Sequence, residues 1–161
     1  MVEFQMTLAK PQNKGEREFI DASHLLDAGD ARHAAILFKR AADRGSMPAQ
    51  MMLGYLYDTG AGVSRSREKA LAWYGRAARR GDATAAANIG SIFAKEGNKR
   101  SALRWFMRAV DQGLPDVLLD IAKMQKPSDA KKTLQRLLNH KRIIPDVRQN
   151  AAALLTELKR R

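Results

Sequence analysis

Residues 45–81 read GSMPAQMMLGYLYDTGAGVSRSREKALAWYGRAARRG. Two helical patterns lie within it, joined by a glycine-containing connection and closed by a glycine at each end. The first spans about Met47 to Thr59, with Pro48 in the opening turn, where a missing N–H costs nothing. The connection GAGVSRS follows, with Ser66 as a cap, and the second pattern runs from Arg67 to Arg80. Weaker copies flank this stretch on both sides, which predicts a chain of helix pairs.

Upstream, a helical pattern runs from Glu16 to Ala28, with Phe19, Ala22, Leu25 and Leu26 on one side. Gly29-Asp30 stops it and starts the next: glycine suits the left-handed position after a helix, and aspartate caps orphan N–H groups. A helix over Ala31–Arg44 follows. Downstream, the third pair is expected over Ala83–Glu96 and Lys99–Gln112, with Asp82 and Asn98 as caps and Gly97-Asn98 as the turn. A fourth, degraded pair opens at Pro115 and reaches about Gln125. Pro127 blocks its extension, and Ser128 is read as the cap of a helix to about His140. Val147, Ala151, Leu154, Leu155 and Leu158 mark a last amphipathic helix over 145–160, suited to closing a repeat array. Residues 1–15, with Pro11, Asn13 and Gly15, read as a flexible arm.

The second helices align without gaps. Each carries alanine, two residues at +3 and +4, and two more at +7 and +8. The series is Ala34-Leu37-Phe38-Ala41-Ala42, Ala70-Trp73-Tyr74-Ala77-Ala78, Ala102-Trp105-Phe106-Ala109-Val110 and Ala130-Thr133-Leu134-Leu137-Leu138. Such spacing draws one stripe along a helix. In the first helices a small residue recurs at Ala22, Gly54, Gly90 and Ala122. A mid-helix glycine costs about 1 kcal/mol relative to alanine, so Gly54 and Gly90 point to close helix contact. The spacings from Gly45 to Gly81 and from Gly81 to Gly113 bracket the ~34 residues of helix-pair repeats.

The run Ala49…Leu53-Gly54…Tyr57…Gly60-Ala61-Gly62-Val63…Lys69-Ala70…Trp73-Tyr74…Ala77-Ala78…Gly81 resembles a Sel-one-like repeat (SLR), a relative of the tetratricopeptide repeat. The resemblance is strongest over Gly45–Gly81. It extends to Gly113 in a form nearer the tetratricopeptide repeat, because the Gly-x-Gly-Val connection is missing there. It keeps only the second-helix signature over 17–44 and is thin beyond Lys126. It implies an all-α, right-handed α-solenoid of antiparallel helix pairs with about nine helices: pairs at 16–44, 45–80, 81–112 and 113–140, then the closing helix, in one domain from 16 to 161. It also implies protein binding without intrinsic catalysis, in an adaptor, a regulator, or a toxin-neutralising or secretion-associated partner.

Composition narrows the function classes. The chain has 161 residues, no cysteine and a formal net charge of +12. Disulfides, zinc–thiolate sites and thiol nucleophiles are excluded, and a reducing, cytoplasmic setting is the expectation, with a bacterial source as what the resemblance implies. No run approaches the ~20 apolar residues of a membrane span. The positive field favours an acidic protein, with nucleic acid or another polyanion as the alternative. His24, His33 and His140 form no zinc-ligand spacing, and no nucleophile elbow or phosphate loop is present. No cofactor, metal or catalytic residue is expected.

Two surfaces remain as candidates. In tetratricopeptide-type stacks the first helices line the concave side. That would place Phe19, Ser23, Met51, Tyr55, Ala87, Ser91, Leu119 and Lys123 there, with Met51 and Tyr55 at the centre of a peptide groove. The plainer reading is that they contact neighbouring helices. At +6 from each second-helix alanine stands Arg40, Arg76, Arg108 or Arg136. This is either an ordinary solvated helix exterior or a basic strip for an acidic partner or a phosphate backbone.

Overall fold

In the computed structural model the described residues are 14–141 and 143–160. Among them are nine α-helices and no strand: α1 Lys14–Asp27, α2 Ala31–Asp43, α3 Met47–Thr59, α4 Arg67–Arg79, α5 Ala83–Lys95, α6 Lys99–Asp111, α7 Leu118–Met124, α8 Pro127–Leu138 and α9 Pro145–Arg160. The expected all-α series of helix pairs is what the chain forms. Helix α1 begins at Lys14, so Lys14 and Gly15 are helical, and the rest of the expected arm lies outside the described residues.

Successive helices are joined by a doublet that ends one and begins the next. After α1, Gly29 takes a left-handed φ of +84° that an L side chain would resist. The Asp30 N–H then donates to Leu25 O at 2.8 Å, closing the helix, while the Asp30 carboxylate accepts from the His33 N–H, opening α2. The same two tasks fall to Ser46, Asp82 and Asn98 after Gly45, Gly81 and Gly97. A short polar side chain at the hinge thus satisfies orphan groups on both sides. After Gly113 the corresponding residue is Leu114, which has no side chain to cap with. The chain there enters a 3₁₀ turn, Pro115–Val117, before α7, where a single helix from Pro115 was expected.

Contacts divide the chain between Ala70 and Leu71, within α4. In the first unit, α1 packs on α2 and α2 on α3. Ala22, Ala34, Phe38, Ala41, Leu53 and Leu56 are buried. The buried Gln50 amide donates to Ala42 O at 3.3 Å, so the C-terminal end of α2 keeps a partner. The connection after α3 returns over α2. A Cβ on Gly62, whose φ is +70°, would lie 2.1 Å from Ala31 O, so only glycine lets the two backbones meet.

In the second unit, α5 packs on α6, α7 on α8 and α8 on α9. Tyr74, Ile89, Phe106, Leu118, Leu134 and Leu137 are buried. A Cβ on Gly90 would lie 2.6 Å from the Phe106 ring, so the phenyl group rests directly on the α5 backbone. Close helix contact is therefore the reason for that glycine. The C-terminal end of α4 is held from α6: the Arg108 guanidinium and the Gln112 amide both donate to Ala78 O, at 3.2 and 2.8 Å. Helix α8 begins at Pro127, with Lys126 before it and no side-chain cap. Ser128, expected as the cap, lies inside the first turn, because proline's fixed φ suits the first helical position. Helix α9 buries Ala151 and Leu155, and Arg148 donates to the O of Leu138, the last residue of α8, at 3.0 Å.

Candidate functional site

The inner-face set divides between the two units. In the first, Phe19 and Ser23 sit one turn apart on α1, and Met51 and Tyr55 one turn apart on α3. Phe19 is half-buried, its ring 5.7 Å from that of Phe38 and tilted by 57°. Ser23 turns its hydroxyl back to Phe19 O at 2.9 Å, the usual fate of a mid-helix serine. Met51 is half-buried, and Tyr55 is 45% exposed. Phe19 borders a recess of about 540 Å³ with Glu16, Ile20, Arg44 and Pro48, and neither Met51 nor Tyr55 lines it. In the second unit, Ala87 and Ser91 on α5 are half-buried, as is Leu119 on α7. Lys123 is exposed, its ammonium 3.4 Å from Asp120 Oδ1.

The four arginines are all exposed but differ in what they touch. Arg76 lies over the Trp73 ring at 4.2 Å from its centre, and Arg108 over Trp105 at 5.5 Å. Each is a cation–π pair on one helix face, of the kind worth about 0.5–1 kcal/mol at a surface. Arg108 also donates to Ala78 O, so it is committed twice. At the matching register, Arg40 and Arg136 follow Leu37 and Thr133, which offer no aromatic face. The Trp-x-x-Arg spacing at 73–76 and 105–108 was the legible signal for this pairing; counted as charge alone, it gives no hint of the stacking.

Arg40 borders a cleft of about 410 Å³ on the first unit. Arg32, Ile36 and Lys39 share the α2 wall with it, and Tyr57 and Val63 lie opposite. Nothing in the one-dimensional spacing shows this cleft, because its far wall is the connection that Gly62 lets settle on α2. Tyr57 carries the Lys69 ammonium over its ring at 5.2 Å.

Among the described residues no group of His, Cys, Asp or Glu could hold a metal ion, and no helix is long and apolar enough to cross a membrane. The Asp30 carboxyl is held below its ordinary range, first by the His33 N–H and then by the His33 ring, whose Nδ1 is 2.7 Å from Oδ2. This is a helix cap and supplies no reactive pair.

The model of the Sel1 repeat matches residues 26–46, 48–82 and 85–114. A Sel1 repeat protein from Oxalobacter formigenes is similar in structure, with TM-score 0.65 and 26% identity, over 77% of this chain and 58% of that one. So is c5321, a protective antigen present in uropathogenic Escherichia coli strains that displays an SLR fold, with TM-score 0.56 and 21% identity, over 92% of this chain and 46% of that one. At the latter identity the likeness concerns the fold alone. The aligned regions thus span about half of those longer proteins. No curated protein matches the chain.

Proposed function

The chain belongs to the Sel1 repeat family, and from that premise we propose that it is a noncatalytic recognition module that binds a segment of another protein through the first-helix side of its repeats. Sel1 repeats are generally protein-interaction scaffolds. The observation that carries the site is on α3: Tyr55 holds 45% of its surface in water, with Met51 half-buried one turn before it. A large aromatic left out of the core beside a pliable methionine suits an adaptable contact. Phe19 and Ser23 on α1 would extend that contact in the first unit, and Ala87 and Ser91 on α5 with Leu119 and Lys123 on α7 are the inner-face residues of the second unit. An adaptor, a regulator or a toxin-neutralising or secretion-associated partner in the bacterial cytoplasm are the roles this reading covers.

The test starts from a partner recovered on the immobilised chain and identified by mass spectrometry, its affinity then measured by calorimetry. Met51→Ala/Tyr55→Ala should weaken binding by about tenfold or more, the size of a lost anchor, with the helical circular dichroism unchanged. Undiminished affinity would reject the α3 site. The alternative, a polyanion or nucleic acid on Arg40, Arg76, Arg108 and Arg136, gains support from the net charge of +12. It predicts binding that collapses with modest salt and without sequence preference.

A further inference from the structure

The cleft on the first unit takes Leu53 and Tyr57 from α3 but neither Met51 nor Tyr55, and it combines an apolar floor with a cationic rim. Its floor is apolar: Ile36 is 49% exposed, one of the most exposed large aliphatic side chains among the described residues, and Val63 and Tyr57 stand across from it. Its α2 rim is cationic, with Arg32, Lys39 and Arg40 within three turns. Lys39 is paired with Asp43. Arg40 makes no side-chain hydrogen bond or ion pair among the described residues. The far wall is held in place by the Gly62–Ala31 contact, so the cleft is preformed.

We propose that this cleft binds an acidic segment of a partner protein, one large aliphatic or aromatic side chain seated on Ile36 and Val63 and flanking carboxylates paired with Arg40 and Arg32. The proposal rests on the protein-recognition reading and adds a second site to it. Charge complementarity selects the occupant. A second copy would bring a further +12 to a basic rim. A single strand held by base stacking would need a free aromatic face, and Tyr57, the aromatic of this cleft, already has the Lys69 ammonium over its ring. The bidentate fork of arginine fits a carboxylate, and a desolvated apolar floor strengthens that pair.

A displayed library of random dodecapeptides, selected on the full chain, tests this. The selected consensus should hold two or more carboxylates beside a leucine, isoleucine, phenylalanine or tryptophan. A synthetic peptide of that consensus, measured by fluorescence anisotropy, should lose about tenfold or more in affinity with Ile36→Asp and again with Arg40→Glu. It should bind Met51→Ala/Tyr55→Ala as well as it binds the parent chain. Both cleft substitutions are at exposed positions, and an unchanged circular dichroism spectrum and urea midpoint verify the fold. Loss of peptide binding with Met51→Ala/Tyr55→Ala alone would overturn the cleft and leave the α3 site standing. A library that yields no binder, or only basic or neutral ones, overturns it as well. So does a dimer in sedimentation that Ile36→Asp dissolves, which would give the cleft to a second copy. Equal loss of a single-stranded oligonucleotide with both variants, without any peptide effect, would give it to a polyanion.

Discussion

The first pair of helices and the third solve one packing problem in two ways. In α5–α6 the small position is Gly90, and the Phe106 ring lies on bare backbone. In α1–α2 the matching residue is Ala22, fully buried, and the matching ring, Phe38, is tilted against Phe19. At the register of Phe19 the third pair has Ala87. In these two pairs, the aromatic Phe19 goes with room for a methyl group at Ala22, and the small Ala87 goes with glycine at Gly90. The contrast teaches that the first and third pairs trade volume between two positions rather than keep one residue at either. The first unit places its demanding glycine elsewhere, at Gly62, where the connection meets α2.

Substitution can break that contrast. Gly62→Ala should have the largest effect, about 3 kcal/mol, because it adds both a disfavoured φ and a clash with backbone that cannot rotate aside. Urea unfolding followed by circular dichroism measures it, and peptide binding to the α2 cleft should fall in parallel. Gly90→Ala should cost about 1–2 kcal/mol, overpacking against Phe106 less the gain in helix propensity. Adding Phe106→Leu should make the pair less harmful than the sum of the two, a coupling that a double-mutant cycle reads directly. The reciprocal Ala22→Gly should cost only about 1 kcal/mol, with no ring to relieve. If Gly90→Ala instead stabilised the chain, the volume exchange between the two pairs would be refuted.

The smallest effect is acid-dependent and confined to the first unit. The Asp30 carboxyl titrates below its ordinary value of 3.8 when folded. Its contribution is thus present above that value and lost as pH falls through the lower, folded one. Asp30→Asn keeps an acceptor for the His33 N–H but should flatten this limb of the stability profile as pH falls below 3.8. Asn98 caps α6 with an amide oxygen already, so the third pair should lack an equivalent acid limb from its own turn.

Much of the fold was legible because the doublets Gly29-Asp30, Gly81-Asp82 and Gly97-Asn98 announce both a stop and a start. Met47–Thr59 and the starts of α2, α4, α5 and α6 stand where the spacing put them. The fourth pair shows why legibility faded. Leu114 gives no cap, and the helix there begins through a 3₁₀ turn. Pro127 takes the position ascribed to the helix after Ser128. The surfaces were harder to read. Periodicity places Arg40, Arg76, Arg108 and Arg136 in one register, but stacking depends on Trp73 and Trp105 three residues earlier. The cleft beside Ile36 depends on a contact between Gly62 and Ala31, far apart in sequence, which no local pattern encodes.

The two donors from α6 on the Ala78 carbonyl bear on how such an array can grow or shrink. A segment cut at the glycines would leave Ala78 O, near the end of the preceding helix, stripped of its side-chain donors. Excision of 81–112 would offer that oxygen to Arg136 and His140, which occupy the matching register in α8 and just beyond it. The module that can be copied or deleted is therefore longer than the span between glycines, and a shortened chain would keep its seam only if those two replacements can reach it.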